Sequence, residues 1–488
     1  MTRVIEREQL LAQLRSDPVW DVLVIGGGAT GLGIAVDAAA RGFRTALIEA
    51  RDFAGGTSAR STKLIHGGVR YLAQGNFKLV REALSERALL LANAVALVRP
   101  LKFIVPCYRP MERETLRLGL GLYDTLAGKQ GIGDTDWLSR ADTIQHLPGV
   151  KQSGLYGGVA YWDAQFDDAR LAIALMRTAV GLGAVAINYV QAEAVVKQKD
   201  RIAAINARDG RSGERFELCA KVIFNAAGVW ADSIRKLADP ASIPLITMSR
   251  GSHVVIPGSF LPGAAAMLIP RTDDGRVLFA IPWDGRVLIG TTDVAAVEPT
   301  WAPEASASEV EFILATARNY LQLNPSNSDV LATFAGLRPL FSPYVSSVRS
   351  TATRTLSREH AIAIEHQNLV TIVGGKWTTY RRMALDALDR AAEAGLIAKR
   401  PCTTGEIKLE VDDAVETACR AAQARVLAGA NDTDAVELIT SFARITRQYE
   451  QAVCADDVLA RRLRIASLDR RQHAHWLPIV EEAFVRRG

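Results

Sequence analysis

A run of glycines between two apolar segments constrains this chain more than any other feature. Residues 22–25 are apolar, three glycines begin at Gly26, a small-residue helical pattern follows, and a second apolar segment ends at Glu49. This order of strand, glycine turn, helix, strand and acid is that of the βαβ unit that binds dinucleotides. Gly26 permits the tight turn, Gly28 lets the backbone approach a pyrophosphate, and Gly31 allows the helix to pack closely on the strand.

The acid at the end of the second strand restricts the choice of dinucleotide. Glu49 follows Gly26 by 23 residues, close to the spacing of about 20 at which an acid binds ribose hydroxyls. An ordinary glycine-rich turn does not account for that acid. A carboxylate there favours free hydroxyls over a 2′-phosphate, so the pattern predicts FAD or NAD and disfavours NADP.

Size and composition exclude several classes of protein. A chain of 488 residues is too long for one core, so we expect several domains. The net charge of +5 does not indicate a nucleic-acid partner, although an anionic substrate or membrane surface fits it. The five scattered cysteines favour reduced thiols in a cytoplasmic setting and no metal site. No apolar run reaches the roughly 18 residues of a membrane span, so any membrane contact should be peripheral.

The order of strand and helix patterns predicts three domains. Residues 1–100, 151–245 and 350–399 should form a discontinuous α/β Rossmann-like domain, because buried-strand patterns return near 222–224 and 369–374. Residues 101–150 and 246–349 should form an α+β substrate-binding domain with an antiparallel sheet. Residues 400–488 carry helical patterns, including residues 455–466, and should form a C-terminal α-helical domain.

Several further segments carry a specific resemblance. The sequence resembles the aerobic, quinone-linked, FAD-dependent glycerol-3-phosphate dehydrogenases of the D-amino-acid-oxidase-like flavoprotein superfamily, from about residue 19 to the end. The segments that carry it are TSARSTKLIHGGVRYL (57–72), DDARL (167–171), NAAGVWAD (225–232), GSHVV (251–255), IPWDGRVLIGTTD (281–293), GLRPL (336–340), GGKWTTYR (374–381) and DDVLARRLRIASLD (456–469).

The resemblance implies both a cofactor and a reaction. It implies bound FAD, oxidation of glycerol 3-phosphate to dihydroxyacetone phosphate by hydride transfer from C2 to flavin N5, and electron transfer to membrane quinone. The nucleotide domain would then be an FAD-binding one. Three mild departures occur: Thr62 stands where serine is common in the family, Trp377 where leucine is common, and residues 357–359 read SRE in place of TRD.

The implied substrate carries a phosphate, which arginine recognises through its planar fork. The matching motifs supply Arg70, Arg338 and Arg358 for that role. Tyr71 and Thr292 are candidates to position the hydroxyl or the phosphate, although packing and strand-end hydrogen bonding explain them equally well.

Oxidation of the C2 hydroxyl also needs a base. His253 is our preferred candidate because it lies on a strand predicted to face the flavin. A structural role is as good an explanation for His66. Lys376 follows two glycines at a predicted helix start, where a cation is unfavourable unless it has a function, and we expect it near the flavin.

The remaining candidate residues are those expected to bind FAD. They are Gly26, Gly28 and Gly31 for the pyrophosphate, Glu49 for the ribose, Thr57, Ser58, Ser61 and Lys63 along the flavin, Ala227 and Gly228 from a second strand, and Gly374, Gly375 and Lys376 at the isoalloxazine end.

Residues 99–123 interleave basic and apolar side chains. Arg99, Lys102, Arg109, Arg113 and Arg117 alternate there with leucine, isoleucine, phenylalanine and tyrosine. Peripheral attachment to the inner face of the cytoplasmic membrane fits this pattern, and so does an ordinary solvated face. The C-terminal helices are a candidate surface for a homodimer.

Three other functions stay open at this point. They are a glycerol-3-phosphate oxidase that uses O2, an oxidoreductase of amino or 2-hydroxy acids on the same fold, and a flavin-binding regulator without catalysis.

Overall fold

A computed structural model describes residues 4–16, 19–68, 72, 75–109, 112–272, 275–342 and 359–485 of the chain. Arg70, Tyr71 and Arg358 lie outside these described residues, so their predicted roles stay predictions. The side chains of Arg113 and Arg117 are also outside the description.

The strands of the described residues fall into three sheets. In chain order they are β1 (Trp20–Ile25), β2 (Thr45–Ile48), β3 (Leu64–Ile65), β4 (Val98–Cys107), β5 (Asp136–Ser139), β6 (Gly157–Phe166), β7 (Val185–Ile187), β8 (Val190–Gln198), β9 (Arg201–Asp209), β10 (Arg215–Leu218), β11 (Ala220–Asn225), β12 (Ile246–Pro257), β13 (Ala266–Ile269), β14 (Leu278–Trp283), β15 (Arg286–Gly290), β16 (Val294–Ala296), β17 (Ala332–Phe341), β18 (His360–Glu365) and β19 (Leu369–Gly374).

Helices surround these sheets and form most of the C-terminal region. They are α1 (Arg7–Ser16), α2 (Ala29–Ala40), α3 (Phe77–Asn93), α4 (Glu112–Ala127), α5 (Arg140–His146), α6 (Asp168–Gly181), α7 (Ala231–Ala238), α8 (Ala307–Tyr320), α9 (Tyr380–Glu393), α10 (Asp413–Leu427), α11 (Thr433–Glu450), α12 (Ile465–Leu468) and α13 (Arg470–Val485). Among the described residues, no helix is both long and apolar enough to cross a membrane.

A six-stranded sheet forms the nucleotide-binding part, in the order β18-β19-β11-β1-β2-β7. All neighbours are parallel except β18, which runs antiparallel to β19. The carboxyl ends of β1, β11 and β19 therefore meet at one edge, although the strands come from distant parts of the chain. The prediction of an α/β Rossmann-like domain assembled from separate stretches is confirmed.

A second, larger sheet contains ten strands and is mostly antiparallel. Its path is β16-β12-β15-β14-β13-β4-β6-β3, with β17 paired to β12 and β5 paired to β6. β6 belongs to this sheet although the sequence placed residues after 151 in the nucleotide domain. The strand pattern alone did not reveal this, because β6 is buried along nearly its whole length, as parallel strands also are.

The C-terminal helices pack around their own apolar core, which includes Phe442, Leu459 and Trp476. The segment predicted as one helix over 455–466 was wrong in detail. A π-helical turn spans Asp457–Arg462, and Arg464 adopts a left-handed backbone conformation with φ of 58° before α12 begins.

Candidate active site

A cavity of about 1220 Å³ lies between the six-stranded and ten-stranded sheets, and residues of both line it. Pockets for drug-sized ligands usually occupy roughly 300–1,000 Å³. A larger space fits a dinucleotide together with a small second ligand. The predicted site residues can be placed around this cavity one segment at a time.

The glycine turn after β1 forms the wall at one end of the cavity. Gly26 has φ of 113°, and a Cβ there would lie 2.5 Å from the Ala226 carbonyl oxygen. A Cβ on Gly31 would lie 1.8 Å from the Gly26 carbonyl oxygen. Gly31 therefore allows α2 to pack on the turn, whereas Gly28, directly before α2, lines the cavity.

Glu49 lies beside this turn and braces it. Its carboxylate accepts hydrogen bonds from the backbone N–H groups of Gly27, at 2.6 Å, and Arg51, at 2.8 Å. Burial raises the pKa of Glu49 above its usual value. The residue also lines the cavity, where a ribose hydroxyl can approach it.

Residues 51–63, which we call the cavity loop, follow Glu49 along the wall. Thr57, Ser58 and Ser61 all line the cavity. The Ser58 hydroxyl accepts a hydrogen bond from the backbone N–H of Ala29 in the first turn of α2, at 3.0 Å. The Thr57 hydroxyl donates to the Leu337 carbonyl at 2.6 Å, which fastens the loop to β17 of the other sheet.

Lys63 is placed differently from the sequence prediction. Its ammonium donates to both carboxylate oxygens of Asp168 at 2.7 Å, and the side chain is buried away from the cavity. A buried lysine needs such a partner because an unpaired charge is very costly in the interior. Lys63 therefore supports the cavity loop, and its ammonium is engaged by Asp168 and the Ala59 carbonyl. Asp168, the first residue of α6, also accepts a hydrogen bond from the Ser61 hydroxyl at 2.7 Å.

Two more segments complete the cofactor side of the cavity. Ala227 and Gly228 follow β11, Gly374 ends β19, and Gly375 and Lys376 come next; all five line the cavity. Gly375 has φ of 78°, and a Cβ there would lie 2.2 Å from the Met383 sulfur atom.

Trp377 joins this region to the cavity loop. Its indole N–H donates to the Ser58 carbonyl at 2.8 Å. Trp377, which stands where leucine is common in the family, therefore holds the segment after β19 against the cavity loop.

His253 lies on β12, with its ring in the wall of the cavity and only 2% of the residue exposed. Its Nε2 lies 3.0 Å from the Thr62 hydroxyl, and its ring stacks on Phe334. Burial, together with the positive charges of Arg338 and Lys63, lowers the pKa of His253 well below its usual value. The imidazole is therefore neutral near pH 7, which is the state that a proton acceptor requires.

Arg338 lies on β17, directly opposite Ser249 of β12. Its guanidinium donates to the Thr291 hydroxyl at 3.0 Å and to the Thr292 carbonyl at 3.2 Å, and Asp293 lies 3.8 Å away. The residue lines the cavity. These contacts fix the planar group in one orientation, as recognition of a phosphate requires.

Thr292 lines the cavity and supports this arginine through its carbonyl, so its contact with substrate stays a prediction. The hydroxyl accepts from the Ser252 N–H at 2.8 Å and donates to Glu309 at 2.7 Å, so it is engaged within the protein. Glu309 is a residue that the sequence reasoning missed. It is the third residue of α8 and forms a capping box with Ser306. In the sequence, a serine followed three residues later by glutamate indicates the start of a helix and gives no sign of a functional site.

One part of the cavity wall carries mostly apolar side chains, although Asp163 and Arg276 also line the cavity. It includes Phe103 of β4, Leu116 of α4, Leu268 of β13 and Phe279 of β14. His66 also lines the cavity, with its ring 6.4 Å from that of Phe279. This wall gives the cavity one end that suits an apolar molecule.

Comparison with known proteins decides the family. The FAD dependent oxidoreductase family matches residues 21–381. This chain belongs to that family. A glycerol-3-phosphate dehydrogenase of Bacillus halodurans, solved in complex with FAD, superposes with a TM-score of 0.76 at 28% identity over 98% of this chain and 92% of that one.

Curated relatives of this FAD dependent oxidoreductase are longer than the chain itself. The mitochondrial glycerol-3-phosphate dehydrogenase of Mus musculus is 40% identical over 402 residues, which cover 79% of this chain and 55% of the relative. The mitochondrial enzyme of Arabidopsis thaliana is 41% identical, over 84% of this chain and 66% of the relative. The chain thus spans between about half and two thirds of their length.

The cofactor of this FAD dependent oxidoreductase is FAD. The residues present fit it. The glycine turn leaves space that a Cβ would fill, Glu49 lines the cavity beside that turn, and three glycine-containing segments line the same cavity. Gly26, Gly28 and Glu49 would hold the ADP end, and the segments at 227–228 and 374–376 would hold the flavin.

Proposed function

We propose that this FAD dependent oxidoreductase oxidises sn-glycerol 3-phosphate to dihydroxyacetone phosphate and passes the electrons to membrane quinone. The observation that carries the proposal is the pairing of a neutral, buried His253 with an oriented Arg338 in the wall of one cavity. A base and a phosphate-binding cation are the two groups that this alcohol needs. The names of the curated relatives point to the same substrate.

Each residue then has a defined task. Arg338 binds the phosphate through its planar fork, while the Thr291 hydroxyl and the Thr292 carbonyl keep that fork in place. His253 takes the proton of the C2 hydroxyl, and Thr62 orients the imidazole. FAD, when bound, supplies the hydride acceptor at N5. Lys376 adds positive charge at the end of the cavity where Gly374 and Gly375 lie.

Anaerobic addition of glycerol 3-phosphate to the FAD-loaded protein tests this proposal. We expect the visible flavin absorbance to bleach within the mixing time of a stopped-flow instrument. D-Lactate and a neutral amino acid serve as matched compounds that lack the phosphate. If either bleaches the flavin faster than glycerol 3-phosphate, the enzyme oxidises 2-hydroxy or amino acids, and no bleaching with any of them would indicate a non-catalytic flavoprotein.

The apolar wall of the cavity favours a lipophilic electron acceptor. Phe103, Leu268 and Phe279 offer contacts that suit a quinone ring and add nothing to the binding of a small phosphate ester. Reoxidation of the reduced flavin separates quinone from O2. We expect a short-chain quinone analogue to restore the flavin absorbance without oxygen, and air to yield little peroxide. Rapid peroxide formation with a slow quinone reaction would make the protein an oxidase.

Attachment to the inner face of the cytoplasmic membrane completes the proposal. Arg109, with 69% of its side chain exposed, stands before the amphipathic helix α4, which also supplies Leu116 to the apolar wall of the cavity. Charge reversal at Arg109, Arg113 and Arg117 should move the protein from vesicles of anionic lipid to the supernatant in a flotation assay. Reversal of the exposed Arg420, Arg444 and Arg447 changes the net charge equally and serves as the control.

Unchanged flotation of the first variant would contradict the attachment. Homodimer formation through the C-terminal helices stays a prediction, which sedimentation of the purified protein tests.

A further inference from the structure

The arginine-rich segment RRLRI at residues 461–465 is not part of the cavity, yet its charges are buried. The guanidinium groups of Arg461 and Arg462 both bind the carboxylate of Asp52, which lies about 410 residues earlier in the chain. Arg462 and Asp52 are almost fully buried. Charges are placed in the interior only where they pair well, so this contact needs a structural or functional reason.

Asp52 stands at the start of the cavity loop and is connected to the glycine turn. Its carbonyl accepts a hydrogen bond from the Gly55 N–H at 2.9 Å, which closes a tight turn. Within that turn, the Ala54 N–H donates to the Gly27 carbonyl at 2.9 Å. The arginine pair therefore fixes the turn that touches the pyrophosphate-binding glycines.

The other end of the cavity loop is held from the same segment. Arg464 forms an ion pair with Asp167, the residue that caps α6. The next residue, Asp168, binds Lys63 and the hydroxyl of Ser61, which are the last residues of the loop. One short stretch of the C-terminal region thus reaches both ends of the loop that walls the cofactor cavity.

The backbone of this stretch is shaped for that double contact. Neighbouring residues of a regular α-helix do not face the same side. Here the π-helical turn Asp457–Arg462 brings Arg461 and Arg462 to one carboxylate. Arg464 adopts a left-handed conformation, which is uncommon for a residue other than glycine, asparagine or aspartate and is kept where its surroundings determine it.

We propose that Arg461, Arg462 and Arg464 are positioning residues for FAD: through Asp52 and Asp167 they hold both ends of the cavity loop against the glycine turn. The C-terminal helices then belong to the cofactor site although no residue of theirs lines the cavity among those that the structure describes. The inference depends on the bound FAD and not on the identity of the substrate. The test of this inference is therefore independent of the test of the proposed function.

Titration of the FAD-free protein with FAD, followed by flavin fluorescence, tests the proposal. We expect Arg462→Gln and Arg461→Gln to raise the dissociation constant of FAD at least tenfold. Arg464→Gln should raise it less, because it acts only on the far end of the loop. Arg461→Lys keeps a positive charge beside Asp52 and should restore at least part of the affinity. The visible absorption band of the bound flavin should shift in Arg461→Gln and Arg462→Gln, since the loop along it changes.

Arg177→Gln is the matched control. Arg177 is also buried between α6 and the C-terminal region, where it binds Glu410 and the Tyr449 carbonyl, but it touches no residue of the cavity loop. We expect its FAD dissociation constant to stay within twofold of the wild type even where its melting temperature falls.

Two results would overturn the proposal. One is an FAD affinity for Arg461→Gln within twofold of the wild type. This variant leaves the buried Arg462–Asp52 pair intact, so its result is decisive even if Arg462→Gln does not fold. The other is an equal loss of FAD affinity in Arg177→Gln, which would show that any weakening of this interface acts through general stability.

Discussion

The glycine turn and the paired strands β12 and β17 contribute to the cavity in opposite ways. The turn uses backbone: Gly26, Gly28 and Gly31 act by the side chains that they lack. The strand pair uses side chains, since His253 and Arg338 reach the cavity from two strands that are 85 positions apart in sequence at these residues. The first kind of site follows from local spacing, whereas the second depends on which residues the register places opposite each other.

This difference predicts how each region fails. A change in the turn should remove the cofactor and leave no partial function. A change in the strand pair should leave FAD bound and alter turnover or affinity. Four measurements test this contrast.

The largest effect is expected in the turn. Gly31→Ala would place a Cβ 1.8 Å from the Gly26 carbonyl oxygen, which forces α2 away from the strand. We expect the purified variant to retain less than a tenth of the wild-type FAD, measured by absorbance after denaturation. Gly405→Ala is the control, because a Cβ there meets no atom within 4 Å. Full FAD content in Gly31→Ala would contradict the expected loss of cofactor on changes in the glycine turn.

The next largest effect is expected for His253, the proposed proton acceptor. His253→Asn should keep FAD but lower kcat by about 10²–10⁴, the usual contribution of a general base. The control is Thr62→Ser, which keeps the hydroxyl on Nε2 and should change kcat only a few-fold. Steady-state rates with glycerol 3-phosphate measure both. A His253→Asn variant with wild-type turnover would exclude this residue as the base.

A smaller effect is expected for the phosphate contact. Arg338→Lys keeps the charge but loses the planar fork, and hydrogen bonds to charged groups contribute about 1.5–3 kcal/mol. We expect the KM of glycerol 3-phosphate to rise about 10–150-fold with FAD content unchanged, which steady-state rates at varied substrate concentration can measure. Arg318→Lys, on α8, is the control. An unaltered substrate affinity in Arg338→Lys would show that Arg338 does not bind the phosphate.

The smallest effect is a pH dependence of stability. The pKa of His253 is lowered in the folded protein, so below about pH 6.5 the unfolded chain binds a proton that the folded chain does not. The stability that the neutral histidine contributes is present above that pH and is lost as the pH falls. The melting temperature of the wild type should therefore drop more steeply between pH 7.5 and 5.5, a range of about two pH units around that value, than that of His253→Asn. The exposed His475→Asn should follow the wild type, and parallel curves for wild type and His253→Asn would contradict the buried, neutral state.

Much of the fold was predictable because its signals are local. The glycine turn between two apolar segments matched β1 and α2, and the buried-strand patterns near 222–224 and 369–374 matched β11 and β19. The helix predicted over 455–466 failed because its backbone follows the ion pairs of Arg461, Arg462 and Arg464 with distant carboxylates. Apolar periodicity carries no information about such partners.

The sequence by itself determined the dinucleotide fold, because the spacing of its glycines and of Glu49 is local. The resemblance of its short motifs to a known family indicated the other segments that line the cavity and the candidate base and phosphate ligand. Only the tertiary structure decided the supporting roles. The Lys63 ammonium donates to Asp168 and the Thr292 hydroxyl donates to Glu309, because a buried charge or hydroxyl is stable only beside a partner. Which partner is near depends on how distant strands and helices pack, and no local pattern records that.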